Sequence, residues 1–137
     1  MIGMRYMKGA KLKAWKVFSD YIRLRDCLKT TGLPDWCICV TCGKMTPYSR
    51  IQAGHAIGGR GNSILLHPDI VHGQCAGCNM NGEKHYAAYS VYMIKTYGME
   101  KWEEFIALSK QPKPMKDWQW REETMKWREQ LSTLKEL

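Results

Sequence analysis

The sequence contains no run of about 18 apolar residues, which excludes a helical membrane span. Residues Met1 to Lys8 lack the continuous apolar stretch and small-residue cleavage site of a secretory leader. Without that export signal, the six cysteines are not expected to form a disulfide scaffold. The expected location is a reducing cytoplasm, where paired Cys-x-x-Cys motifs hold metal. Acidic residues are also scarce, 13 against 21 Lys and Arg, leaving a net charge of +8.

That excess is uneven. Residues 1–29 carry eight basic side chains against Asp20 and Asp26, whereas residues 30–109 are neutral and residues 110–137 carry +2. The first segment reads either as a basic arm that grips phosphates, Arg23 and Arg25 among its cations, or as a solvated helix face. With 137 residues, 45% hydrophobic and 25% charged, the chain suits one domain or a small core with helical attachments.

Helical periodicity runs from Ala10 to Thr30, through Leu12, Trp15, Phe18 and Ile22, and stops at Gly32 and Pro34. Arg50 to His55 reads as a short strand. Ile64 to Leu66 and Ile70-Val71 read as a second extended piece, joined to the first by the glycine-rich loop from Gly58 to Ser63. A helix is expected from Asn79 to Tyr97 and another from Met99 to Ser109. Pro112 and Pro114 mark a linker, after which Asp117 reads as an N-cap. Trp120, Thr124, Trp127, Leu131 and Leu134 then repeat at heptad spacing, as a seam for the chain's own first helix or for a homodimer. Three segments follow: a basic N-terminal helical arm (1–34), a metal-bound core with its following helices (35–110), and a C-terminal helix (111–137).

The core is bracketed by Cys39-x-x-Cys42 and Cys75-x-x-Cys78. Two such knuckles supply the four thiolates of a tetrahedral structural Zn²⁺ site. Cys27 and Cys37 are spare, although Cys37 can stand in for Cys39. Between the knuckles lies His55, on the expected strand, and Asn79 directly follows the last cysteine. A histidine facing the start of a helix that bears an oxygen ligand suits a one-metal phosphodiesterase. His55 is the expected general base, and Asn79 a ligand of a catalytic Mg²⁺ or Mn²⁺. Glu83 is a candidate second ligand one turn further on, while Arg60 and Lys84 are candidate DNA contacts. Each has a plainer reading: a hydrogen-bonded turn histidine, a helix-capping asparagine, a first-turn carboxylate. His67, His72 and His85 compete for the metal roles.

Cys39-x-x-Cys42-Gly43, Ala53-Gly54-His55, Asn62-Ser63 and Val71-His72-x-Gln74-Cys75-x-x-Cys78-Asn79 resemble the NinG (Rap) recombination proteins of lambdoid phages. More broadly, the core resembles zinc-bearing HNH nucleases of the endonuclease VII type. The resemblance implies a mostly helical α+β fold with a zinc-pinned ββα-metal (HNH-like) core and flanking N- and C-terminal helices. It implies a phage protein of the host cytoplasm that cuts branched recombination intermediates, Holliday junctions or D-loops, alongside other recombination proteins. In that pattern the histidine matching His55 is the base, the asparagine matching Asn79 binds the catalytic metal, and Cys39, Cys42, Cys75 and Cys78 hold zinc. Two positions depart from the HNH pattern. Gly54 replaces an acidic ligand, and Ile70 replaces the central asparagine, with Asp69 beside it. Both departures favour the rival expectation, a non-catalytic zinc module that binds branched or single-stranded DNA.

Overall fold

In the computed structural model, residues 7–59 and 61–137 are described, the side chains of 82–84 excepted. The first helix, α1 (Gly9–Thr31), ends where Gly32 takes φ 76° and returns its N–H to Leu28 O at 3.0 Å. Two short antiparallel hairpins follow. The first pairs β1 (Trp36–Ile38) with β2 (Met45–Pro47) and carries the first cysteine knuckle in its turn. There Gly43, at φ 76°, donates to Cys39 O at 3.0 Å, a left-handed position that suits only glycine without strain.

The second hairpin pairs β3 (Gln52–His55) with β4 (Val71–Gln74), Gln52 opposite Gln74 and Gly54 opposite His72. Its connection contains α2 (Asn62–Leu65). Ile64 to Leu66 is therefore not the extended piece expected from its apolar run. Ile64 enters one core cluster and Leu65 the other, and three apolar residues in a row carry no period to tell such a turn from a strand. Behind β4 come α3 (Ala76–Met80), α4 (Gly82–Tyr97), α5 (Met99–Ser109) and α6 (Asp117–Lys135). The expected helix start at Asn79 moves back to Ala76, and a break at Asn81 (φ −106°, ψ 48°) separates α3 from α4. Asp117 is the first helical residue of α6, not its cap, and Gln119 reaches back to accept the N–H of Lys116 at 2.7 Å. The whole is a mostly helical α+β fold with two small two-stranded sheets.

One apolar cluster joins Trp15 and Phe18 of α1, Ala53 of β3, Val71 of β4, and Trp120 and Trp127 of α6. The heptad seam is thus covered within the chain: α6 docks on α1, and the Trp127 ring stands edge-on to Phe18 at 4.8 Å. A second cluster sets Ile57, Ile64 and Ile70 against Tyr89, Met93, Trp102 and Phe105, closing α4 and α5 over the other side of the hairpin. No helix among the described residues is long and apolar enough to cross a membrane.

Candidate metal centre and hairpin site

The sulfurs of Cys39, Cys42, Cys75 and Cys78 all lie within 4.8 Å of one another, with Cys42 Sγ and Cys75 Sγ 3.8 Å apart. Zinc–sulfur bonds of about 2.3 Å in a tetrahedron require sulfurs about 3.8 Å apart, so the cluster fits Zn²⁺. Local hydrogen bonds prepare it. Burial pushes the Cys39 thiol up. The Thr41 hydroxyl, with the backbone N–H groups of Cys42, Cys75 and Thr41, outweighs that and holds it at about 6. The knuckle is tied to the second hairpin by Val40 N–H to Gly73 O (2.9 Å) and Cys75 N–H to Cys39 Sγ (3.3 Å). These four cysteines can hold a zinc ion that pins both hairpins together. Cys37 is not among them: it is buried beside Cys27 and Ile51, behind the knuckle.

His55 closes β3. Its ring stacks on Trp15 (5.4 Å between centroids, 23° between planes), and its Nε2 lies 3.0 Å from Leu65 O. A carbonyl only accepts, so Nε2 carries the hydrogen and the neutral imidazole keeps its basic lone pair on Nδ1. Asn79, in α3, donates its Nδ2 to Gln52 Oε1 at 2.8 Å. The helix therefore anchors its amide to the neighbouring strand. His55, Gln74, Asn79, His85 and Tyr89 line one cavity of about 320 Å³. Between them, Gly54 is held by its carbonyl, which accepts the Tyr89 hydroxyl at 2.6 Å.

Other expected site residues fall elsewhere. Arg23 turns inward to Ile51 O (2.9 Å) and Tyr48 O (2.6 Å), and Arg25 to Asp26, Pro68 O (2.6 Å) and Val71 O (2.9 Å). Both guanidiniums offered as DNA contacts thus tie α1 to the hairpins. Arg60 and the side chains of Glu83 and Lys84 lie outside the described residues. The helical break at Asn81 interrupts the one-turn relation that linked Glu83 to Asn79. Of the competing histidines, His72 is buried against Asp26, Arg25 and Tyr97, and His67 packs edge-on against Phe105. Only His85 shares the cavity with His55. Ile70 is wholly buried core and holds the loop through its backbone, accepting Ala56 N–H at 2.8 Å, so no side-chain amide is needed there.

Sequence reasoning gave no role to Gln52 or Thr41, and none of their own to Gln74 and Arg50. The only signal for the glutamines was their place on facing strands. Arg50 lines an open cleft of about 640 Å³ with Lys16, Arg23 and Gln52, where Asp20 is the sole acid among the described residues.

Fold and site together define a small protein in which four clustered cysteines, able to hold a zinc ion, lie where an antiparallel hairpin meets the helix behind it. The family model of the bacteriophage lambda NinG protein matches residues 5–137, and the chain belongs to that family. No curated protein and no solved structure matches it.

Proposed function

We propose that this protein is a structure-specific endonuclease of phage recombination that hydrolyses phosphodiesters in branched DNA, with the β3–β4–α3 unit as an HNH-like ββα-metal core. One observation carries the reading: His55, from the strand, and Asn79, from the helix pinned behind it, line the same cavity. Membership of the NinG family and the basic cleft beside Gln52 support it.

The oxygen donors at Asn79 and its neighbours suit a hard divalent ion, Mg²⁺ or Mn²⁺. Such an ion supplies Lewis-acid polarisation of the phosphate and stabilisation of the leaving oxygen. The chain's own residues do the rest. His55 Nδ1 takes a proton from the attacking water as the water oxygen bonds to phosphorus and the P–O bond to the leaving sugar oxygen breaks. The Nε2–H bond to Leu65 O and the stacked Trp15 keep that ring in one tautomer and one plane. Lys16 and Arg50 hold the flanking backbone in the open cleft. The structural zinc keeps α3 against β3.

Gly54 favours a second reading, because the residue preceding His55 in sequence is not a carboxylate; the protein then binds branched or single-stranded DNA without cutting it. A synthetic four-way junction separates the two. Incubated in Mg²⁺, the wild type nicks it and His55→Ala does not, while both bind. Equal binding with no cleavage by the wild type overturns the nuclease and leaves the binding module.

A further inference from the structure

We infer that Gln74 supplies the metal-binding oxygen that residue 54 lacks, so that Gln74 Oε1 and Asn79 Oδ1 form a neutral two-oxygen seat for the divalent cation above Gly54. This rests on the nuclease reading and gives Gln74 a ligand role that the resemblance does not assign to it.

The geometry at Gly54 carries the inference. A Cβ built there would overlap Gln74 Oε1, fall 2.8 Å from Gln74 Cδ, and lie 3.1 Å from Asn79 Oδ1. The space of a residue-54 side chain is therefore filled by two amide oxygens from other elements. Glycine at 54 is what lets them in.

Both amides are oriented by what their nitrogens bind. Asn79 Nδ2 donates to Gln52 Oε1 (2.8 Å), which turns Oδ1 away from Gln52. Gln74 Nε2 lies 3.3 Å from Thr41 Oγ1, which in turn lies 3.4 Å from Cys39 Sγ. A zinc-bound thiolate only accepts, so the Thr41 hydroxyl donates to Cys39 and its lone pair takes the Gln74 N–H. The zinc centre thus fixes which end of Gln74 faces the cavity, as outer-shell partners commonly orient metal ligands. Gln74 is 4% exposed, lines the cavity with His55 and Asn79, and its Oε1 receives no hydrogen bond from any described residue. Hard divalent cations accept carboxamide oxygens, and this one faces the cavity.

Zinc-loaded full-length protein titrated with Mn²⁺, followed by electron paramagnetic resonance, tests this apart from cleavage. The wild type binds one Mn²⁺, Gln74→Ala weakens binding at least about tenfold with zinc content unchanged, and Gln74→Glu tightens it. Gly54→Asp alone loses fold stability through the overlap, whereas Gly54→Asp with Gln74→Gly regains Mn²⁺ binding. If Gln74→Ala fails to fold, the isosteric Gln74→Glu decides alone. An unchanged Mn²⁺ affinity in Gln74→Glu, or in a folded Gln74→Ala, overturns the inference while junction cleavage lost in His55→Ala still upholds the nuclease. A wild type that binds no Mn²⁺ overturns both.

Discussion

The carboxylate of Asp26, on α1, accepts the backbone N–H of Gly73, in β4, at 2.7 Å. Its other oxygen takes Arg25 Nε at 2.7 Å, and His72 Nδ1 stands 3.6 Å from Oδ2. Two elements distant in sequence, α1 and β4, therefore meet on one buried acid. Removing it strands the Gly73 N–H and the Arg25 charge in the interior. Breaking one partner of a buried pair costs about 3–5 kcal/mol, and Asp26→Ala is expected to lose that much in urea unfolding.

The same acid sets an acid limit on stability. Burial pushes Asp26 up, but the neighbouring His72 imidazole and the hydrogen-bonded Arg25 guanidinium outweigh it and hold the carboxyl at about 2, below its ordinary 3.8. A depressed folded value means the stabilisation is whole above about pH 4 and fades as pH falls toward 2. It amounts to about 2 kcal/mol. Unfolding free energy measured between pH 5 and pH 2 should fall more steeply in the wild type than in Asp26→Asn.

Zinc should be inseparable from folding. The four cysteines join the β1–β2 turn to the start of α3, a junction also bridged by Val40 N–H to Gly73 O and Cys75 N–H to Cys39 Sγ. About one zinc per chain is expected by elemental analysis. Cys42→Ser or Cys78→Ser should lose the metal and broaden the melting transition. A chelated protein that melts as sharply and as high as the holo form refutes this.

Trp127 is the hinge of the α1–α6 contact, edge-on to Phe18 and 5.0 Å from the Tyr21 ring centroid. Trp127→Ala opens a cavity in the shared core and should cost about 3–5 kcal/mol in chemical denaturation. Because the seam residues Trp120, Thr124 and Trp127 are buried within the chain, sedimentation of the full chain is expected to give the monomer mass.

Much of the secondary structure was legible because its signals are local. Met99 to Ser109 matched the observed α5, and the expected α1 fell one residue short at each end, since stripe and stop signals agree there. The Ile64–Leu66 run misled because three apolar residues carry no period. The cysteine cluster was readable because metal ligation constrains both spacing and chemistry. Arg23 and Arg25 were not, for a basic residue on a helix looks the same in sequence whether it faces phosphate or carbonyl.

The sequence by itself determined which four cysteines cluster, the strand that ends in His55, and the family to which the chain belongs. These follow from residue type at short spacing. Only the tertiary structure decided what stands over Gly54. That answer needs β4 paired to β3 in one register and α3 pinned behind both, so that two amides from different elements arrive where a single side chain is missing. Such a convergence is set by packing between distant segments, and no local pattern encodes it.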